Sequence, residues 1–318
     1  MIVMKYIREW KEGDRIAGVY LCKTKNPAVT KNGKPYENLI LQDKTGQIDA
    51  KIWEPHSEGI AEFAPMDYVD VFGDVTSFNG VLQLSVKRAR LCREGEYNPA
   101  DYVPVSERNN EEMYGELTDI VKSVKNRHLH ALLRTFFVED EDFAVQFRKS
   151  SAAKSVHHGF VGGLMEHTIG VAKLCDHLAA VYPILNRDLL VSAALLHDVG
   201  KVTELSAFPE NDYTDEGQFL GHIYIGAKEA EVRASRLPHF PVLLKNELVH
   251  CILAHHGKLE FGSPKKPALP EAIALNLADE LDAKMETFKE LFASSVTPGW
   301  QGYNRLFESH IFETRVEE

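Results

Sequence analysis

Imidazole and carboxylate side chains are concentrated in one stretch of this sequence, and their spacing is suited to holding metal ions. Ten of the 14 histidines lie between His157 and His256. Ligands contributed by several helices of a bundle commonly build a metal centre, and mixed nitrogen and oxygen donors suit manganese, iron, cobalt, nickel or zinc. The candidate ligands, each predicted on or at the end of a helix, are His167, His197, Asp198, His222, His255, His256 and Asp279.

Asp198 carries the strongest part of this pattern because its helical neighbours are apolar. Val191, Ala194 and Leu195 precede it at helical spacing. A carboxylate on that face would be buried, and a buried carboxylate without a partner costs several kcal/mol. We therefore expect either Lys201, one helical turn later, or a metal ion to meet it.

Each candidate also has a structural interpretation when it is taken alone. The pair His255-His256 could complement the negative end of a helix dipole, and Asp198 could form only an ion pair with Lys201. Asp279 could be one of several solvated acids on its helix. The joint pattern favours the metal-centre interpretation, because so many histidines and acids at helical positions, most beside apolar neighbours, are not expected by chance.

The composition indicates a globular protein of two domains. The 318 residues are 44% hydrophobic and 26% charged, which supports a core and excludes a disordered polyanion. The net charge of −11 excludes a strongly basic nucleic-acid binder, although local basic patches are left open. Residues 1–95 contain 14 basic and 13 acidic side chains, whereas the remainder contains 22 basic and 34 acidic ones.

The sequence has none of the features expected of a membrane or secreted protein. The longest nearly apolar stretch, Leu189–Leu196, is too short to span a bilayer, and Lys5 and Arg8 interrupt any signal-like run. The four cysteines form no CxxC pair. We expect a cytoplasmic protein with unpaired thiols, and the sequence leaves open whether it forms a homo-oligomer.

Strand patterns fill the first 95 residues and helical patterns follow them. Short alternating segments such as Tyr36–Asp43 predict strands, and Asn79-Gly80 is a strong hairpin signal. These patterns predict a five-stranded β-barrel at 1–95, a linker at 96–112, an all-α domain at 113–310 with its metal site within 157–282, and a tail at 311–318.

The order of the candidate ligands resembles the HD superfamily of metal-dependent phosphohydrolases. The likeness covers about residues 150–290 and includes an HDxGK segment, His197 to Lys201, similar to that of the HD-GYP phosphodiesterases. The GYP element itself is absent. The additional His222 and the His255-His256 pair resemble the dinuclear HD subset, which includes nucleases.

The N-terminal half resembles an OB-fold of the single-strand-binding kind. An OB-fold followed by an HD domain resembles the YhaM family of 3′→5′ exoribonucleases from Gram-positive bacteria. This resemblance implies a divalent-metal-dependent hydrolase of phosphodiester bonds in single-stranded RNA, with single-stranded DNA left open, and it alone implies the direction of degradation. The alternatives are an HD phosphohydrolase of mononucleotides or cyclic dinucleotides with a regulatory OB domain, and a non-catalytic single-strand-binding protein.

The resemblance also implies roles for the site residues. Asp198 would bridge two metal ions, Mn²⁺ being the first choice and Co²⁺, Fe²⁺, Ni²⁺ or Zn²⁺ the others. One ion would take His167, His197 and Asp279, and the second would take His222, His255 and His256. Lys201 would neutralise Asp198 or a phosphate oxygen. His158 could protonate the leaving group, although a surface histidine is an equal interpretation from its position.

The barrel is expected to hold the strand with aromatic and basic side chains. OB domains stack bases on aromatic rings and follow the backbone with cations. An aromatic residue in a small barrel is more often part of the core, so each candidate has that alternative; Trp53 is a further candidate of this kind. The candidates are Lys25, Lys31, Lys34, Tyr36 and Phe78.

Overall fold

A computed structural model describes residues 5–30, 32–78, 81–98, 101–154, 158–293 and 299–314. The chain divides into two compact units. The first contains Met1–Glu107 together with the short segment Ser206–Asp212, and the second contains Arg108–Leu205 and Tyr213–Glu318. Two predicted features, the Asn79-Gly80 turn and Lys31, lie outside the described residues, as does His157.

The first unit is built on a closed five-stranded barrel, as the sequence predicts. Its strands are β1 (Arg15–Val29), β2 (Pro35–Asp43), β3 (Gly46–Ile52), β4 (Tyr68–Phe78) and β5 (Val81–Leu91). They follow one another around the barrel in the order β1-β2-β3-β5-β4. Only β3 and β5 pair in parallel, and the other neighbours pair antiparallel. This is the Greek-key barrel of an OB-fold.

Alternation along the strands explains why the barrel closes around an apolar interior. In β4 the side chains of Val69, Val71 and Val75 are buried, as period-two patterning requires. Gly73 lies at a register shift between β4 and β5. A Cβ atom there would lie 2.3 Å from the Ser85 carbonyl oxygen, so only glycine permits this approach.

The first part of the predicted linker is folded against the barrel. The Tyr97 ring stacks on Tyr68 with centroids 3.8 Å apart, and Tyr102 meets Tyr68 edge-on at 5.0 Å. The Gln42 side chain donates a hydrogen bond to the Tyr102 carbonyl. The structure therefore places the boundary between residues 107 and 108, inside the predicted linker at 96–112.

The segment Ser206–Asp212 belongs to the first unit although about 100 residues of sequence separate it from Glu107. It follows Leu205 and returns to the second unit at Tyr213. Lys23 of β1 donates hydrogen bonds to the carbonyl oxygens of Pro209 and Glu210.

The second unit is helical, with a short hairpin at its C-terminal end. Its helices are α1 (Asn110–Ser123), α2 (Arg127–Phe137), α3 (Glu141–Phe147), α4 (Gly163–Val181), α5 (Arg187–Leu196), α6 (Lys201–Glu204), α7 (Asp215–Arg236), α8 (Val242–Ala254) and α9 (Pro270–Ala293). The hairpin joins β6 (Trp300–Asn304) to β7 (Ser309–Phe312). The sequence predicts helix and tail there, and strands of this length give too short an alternation to be recognised.

Helix α5 is the centre of the helical unit, and it brings the candidate ligands into the interior. All of its residues from Leu189 to Leu196 are buried. It packs against α2, α4, α8 and α9. Because α5 ends at Leu196, the next two residues, His197 and Asp198, emerge inside the core rather than at the surface. None of the described helices is long and apolar enough to cross a membrane.

Candidate metal centre

Three of the predicted ligands meet where α4, α5 and α9 come together. His167 lies on α4, His197 at the end of α5 and Asp279 on α9. The Nε2 atom of His167 lies 3.2 Å from His197 Nε2 and 3.2 Å from Asp279 Oδ1. His197 Nε2 lies 3.8 Å from the same carboxylate oxygen. We call this group the first triad, and its donor atoms are close enough to share one cation.

The other three predicted histidines form a second triad. His222 lies on α7, and His255 and His256 follow the last residue of α8. Their ligand atoms lie within 4.8 Å of one another. The structure brings together the same residues that the sequence assigns to each ion, and their role as metal ligands stays a prediction.

Asp198 lies between the two triads and presents one oxygen to each. Its Oδ2 atom is 3.4 Å from His197 Nε2 and 3.6 Å from His167 Nε2. Its Oδ1 atom is 3.4 Å from His222 Nε2 and 3.6 Å from His255 Nε2. Asp198 therefore joins the two triads through its two carboxylate oxygens.

Several buried atoms at the second triad have no hydrogen-bond partner among the described residues. They are Asp198 Oδ1, His222 Nε2 and His255 Nε2. A buried polar atom without a partner costs about 1–3 kcal/mol, so three of them facing one another indicate a position for a charged ligand. Imidazole nitrogens with a carboxylate oxygen suit a divalent transition-metal ion. The residues present therefore fit a metal centre.

Lys201 is the cation that meets Asp198 directly. Its Nζ atom lies 2.6 Å from Asp198 Oδ2, and its side chain is mostly buried. Burial alone would raise the pKa of the Asp198 carboxyl, but Lys201 and the surrounding imidazoles hold it well below its usual range. The predicted i, i+3 ion pair is present, and Asp198 is a carboxylate at neutral pH.

Backbone carbonyl groups hold the Nδ1 atoms of three of the histidines. Each of these rings donates from Nδ1, at 2.7–2.8 Å, and so turns Nε2 toward the centre. The carbonyls of Ala194, Ile252 and Phe261 accept from His197, His255 and His256, respectively.

Carboxylates hold the other two rings. His222 Nδ1 donates to Glu204 at 3.0 Å, and His167 Nδ1 donates to Asp282 at 2.7 Å. The sequence analysis does not identify either acid as part of the site. The signal available was helical spacing, because Asp282 lies three residues after Asp279 and therefore on the same face of α9.

Two glycines shape the backbone around His222. Gly200 is the glycine of the HDxGK segment, and a Cβ atom there would lie 2.1 Å from the His222 carbonyl oxygen. Gly221 interrupts α7 with φ 71° and ψ 151°, a conformation that favours glycine. The placement of His222 therefore depends on one glycine that leaves no room for a side chain and on a second whose backbone conformation other residues rarely adopt.

The predicted catalytic residue His158 has a different position from the one expected. Its side chain is buried, with 4% exposed, and its Nε2 atom lies 3.1 Å from Asp282 Oδ2. It contacts a carboxylate that supports His167, and it does not lie on the surface. The surface interpretation of His158 is therefore wrong, and its action on the leaving group stays a prediction.

The predicted strand-binding residues of the barrel differ in burial and in their contacts. Lys25 is mostly buried, forms an ion pair with Glu37 at 3.3 Å and lies over the Phe63 ring. Lys25 is therefore not a free cation, and its role in binding nucleic acid stays a prediction. Lys34 is exposed, and Phe78 is 66% exposed at the end of β4.

Tyr36 belongs to an outward-facing aromatic pair. Its ring lies 5.1 Å from that of Trp53, which is 46% exposed just after β3. Lys51 points to the same side as Trp53 and hydrogen-bonds Asn38 of β2. We call Tyr36, Asn38, Lys51 and Trp53 the β2–β3 patch.

Comparison with known proteins identifies relatives of both parts of the chain. The HD domain family matches residues 164–284. A curated protein of Geobacillus sp. (strain WCH70), named 3′-5′ exoribonuclease YhaM, is 36% identical over 98% of this chain and 96% of its own length.

Solved structures match a smaller part. The second OB-fold domain of replication protein A from Methanococcus maripaludis is 23% identical, covers 29% of this chain and 98% of that chain, and has a TM-score of 0.22. A replication protein A heterotrimer bound to single-stranded DNA is 21% identical, with coverage of 30% and 69% and a TM-score of 0.21.

Proposed function

This chain belongs to the YhaM family of 3′-5′ exoribonucleases, and from that membership we propose that it removes nucleotides from the 3′ end of single-stranded RNA by metal-dependent hydrolysis. The observation that carries the proposal is Asp198, whose two oxygens face two separate groups of imidazoles. A single buried carboxylate in that position is suited to phosphodiester chemistry that uses paired cations.

We propose two ions, with Mn²⁺ as the first choice. The first would be held by His167, His197 and Asp279, and the second by the second triad, with Asp198 shared. Bound ions would lower the pKa of a coordinated water and stabilise the attacking and leaving oxygens of the phosphate. The nitrogen-rich donor set equally admits Co²⁺, Fe²⁺, Ni²⁺ or Zn²⁺.

The protein's own residues prepare the centre before a substrate arrives. Lys201 compensates the charge of Asp198 and keeps it ionised inside the core. Because the ring nitrogens are held from behind, the ligand atoms are preorganised and need little reorganisation during the reaction. The charge of a phosphate entering this acidic unit would be met by the bound ions, so activity should require divalent metal.

The β2–β3 patch is our proposed binding surface for the RNA strand. Its aromatic pair, an exposed Trp53 and a half-buried Tyr36, lies on the barrel face that OB-folds use for oligonucleotides, and Lys51 lies 6.0 Å from the Tyr36 ring. Exposed rings stack on bases of any sequence, and a lysine beside them can contact phosphate. Lys34 and Phe78, in the loops beside β2 and β4, are proposed as additional contacts, and single-stranded DNA is a second candidate ligand.

A cytoplasmic location is also proposed. The four cysteines are free and buried, which suits a reducing compartment.

The experiment compares wild-type protein with Asp198→Ala on single-stranded RNA labelled at either end. With Mn²⁺, the wild type should shorten 5′-labelled RNA stepwise and release a mononucleotide first from 3′-labelled RNA. Asp198→Ala should abolish hydrolysis and leave RNA binding intact. Asp119→Ala, a change at an exposed acid of α1, is the matched control and should behave as wild type.

Two further measurements complete the test. Chelation of divalent ions should remove activity, and Mn²⁺ should restore it; metal analysis of the protein should show about two ions per chain. Hydrolysis of mononucleotides or cyclic dinucleotides while a long strand stays intact would contradict the proposal and favour a phosphohydrolase with a regulatory barrel. Unchanged hydrolysis by Asp198→Ala would exclude the metal mechanism.

A further inference from the structure

Asp282 is a shared acceptor behind the first triad. Its Oδ2 atom accepts from His167 Nδ1 at 2.7 Å and lies 3.1 Å from His158 Nε2. One carboxylate oxygen therefore joins a metal-facing histidine to a second, buried histidine. Burial would raise the pKa of the Asp282 carboxyl, but hydrogen bonds from His158 and His167 lower it to about 2.

Two close approaches of the backbone build this arrangement. Gly170 lies one helical turn after His167 on α4, and a Cβ atom at this position would lie 2.2 Å from Asp282 Oδ1. Gly163, at the start of α4, would place a Cβ atom 2.0 Å from the His158 carbonyl oxygen. Each contact can form only because the residue is glycine.

His158 is held in a specific conformation at this point. It has φ 56°, in the left-handed region that non-glycine residues rarely adopt. Its carbonyl oxygen accepts from the Ala152 amide at 3.1 Å. Such a backbone conformation is costly and persists only where its surroundings enforce it. The enforced result is a ring that points its Nε2 atom at Asp282.

We propose that Asp282 is a positioning residue that holds His167 as a metal ligand, and that His158 is positioned to hold Asp282 in place. The inference rests on the proposed metal centre. A carboxylate behind a histidine fixes the proton on Nδ1, leaves the Nε2 lone pair free for a cation and raises the basicity of the ring. In this arrangement His158 acts through Asp282 and His167.

The two triads can be compared through the carboxylate that supports one ring in each. Each has one ring supported by a carboxylate, Asp282 behind His167 and Glu204 behind His222, and the remaining rings are supported by carbonyl groups. Only Asp282 has a further histidine on the same oxygen. Loss of Asp282 should therefore weaken one ion selectively, because Glu204 and its histidine are unchanged.

The test is a calorimetric titration of metal-free protein with Mn²⁺. Asp282→Asn should weaken one of the two binding steps by about 10–100-fold and leave the other unchanged, since residues that support metal ligands have effects of this size. Glu280→Gln is the matched control: Glu280 lies on the same helix and pairs only with Lys284 among the contacts described, and its replacement should change neither step.

Two more variants separate positioning from folding. Gly170→Ala changes no ionisable group but displaces the Asp282 carboxylate, and it should weaken the same step as Asp282→Asn. His158→Ala should weaken that step less, and it should add little when Asp282→Asn is already present, because residues of one network are not additive. Circular dichroism establishes which variants are folded.

Wild-type affinity for both ions in folded Asp282→Asn would overturn the proposal. So would equal, additive losses from His158→Ala and Asp282→Asn, which would indicate that His158 acts on its own. These outcomes are distinct from a failure of the proposed function: a protein that binds two Mn²⁺ ions but leaves RNA intact would contradict the exoribonuclease proposal and still permit the comparison of affinities.

Discussion

The metal centre and the β2–β3 patch use opposite strategies for placing functional side chains. In the helical unit, Asp198 is almost fully buried, and every ligating imidazole is held from behind. On the barrel, Trp53 is 46% exposed, and its described ring contact is with Tyr36 alone. The proposed hydrolysis needs fixed distances and relies on enforced contacts, whereas the proposed surface for a variable strand offers an exposed ring.

This contrast predicts how mutations should act. A substitution at the centre should change the rate by orders of magnitude, because one misplaced ligand affects all the others. A substitution on the patch should change the affinity for RNA by a modest factor, because each ring contributes one contact among several. The following predictions test that difference, beginning with the largest effect.

Replacement of His255 by alanine should have the largest effect. His255 is completely buried, and its Nε2 atom is one of the atoms without a partner at the second triad. We expect kcat on single-stranded RNA to fall at least 100-fold, the upper range for residues that only support a ligand, and RNA affinity to stay unchanged. A rise in KM with an unchanged kcat would show that the contrast between the two regions is wrong.

Replacement of Gly200 by alanine should have the next largest effect. The added Cβ atom would lie 2.1 Å from the His222 carbonyl oxygen and 2.7 Å from the Gly226 amide nitrogen. We expect the free energy of unfolding to fall by about 1–3 kcal/mol, the usual cost of overpacking, with a lower kcat. Urea denaturation and single-strand digestion measure the two effects.

Gly115→Ala is the matched control for that substitution. Gly115 lies on the exposed side of α1, and a Cβ atom there would meet nothing within 4 Å. Alanine should raise the free energy of unfolding by about 0.4–1 kcal/mol, because it restricts the unfolded chain without strain. If both variants behaved alike, close approach would not be the reason for glycine at 200.

The same two regions show what the sequence reveals and what it conceals. The candidate ligands were predictable because they lie on helices or directly after them, where apolar spacing and the HDxGK segment mark buried positions. The Phe261 carbonyl that supports His256 was not predictable, because every residue has a carbonyl group and only the folded chain brings this one to His256. Asp282 carried a weak signal through its spacing from Asp279.

Contacts across paired strands are harder to predict from the sequence than contacts along one helix. The sequence makes Lys25 a candidate for binding the strand, but β1 extends to Val29 and pairs with β2 across a register shift between Cys22 and Thr24. That register brings Glu37 to Lys25. A shift of this kind depends on tertiary contacts, and so the ion pair could not be predicted from period-two alternation.

Replacement of Trp53 by alanine should have a moderate effect on binding. Stacking of a base on an aromatic ring contributes about 1–3 kcal/mol, so we expect the Kd for single-stranded RNA to rise about 10-fold while kcat at saturation is unchanged. Trp53→Phe should retain most of the affinity. Fluorescence anisotropy with the inactive Asp198→Ala protein as background measures the binding; an unchanged Kd would remove the patch from the proposed RNA surface.

The smallest effect should come from the lysines, and it distinguishes the two kinds of cation on the barrel. Lys34 is exposed, so Lys34→Ala should remove about one phosphate contact and reduce the salt slope of log Kd by about 0.7. Lys25 is paired with Glu37 and mostly buried, so Lys25→Ala should leave that slope unchanged and lower the free energy of unfolding instead. Affinity measured across a salt series, beside urea denaturation, gives both quantities. A changed slope for Lys25→Ala would mean that its ion pair opens when RNA binds, and that the barrel surface is less fixed than its contacts indicate.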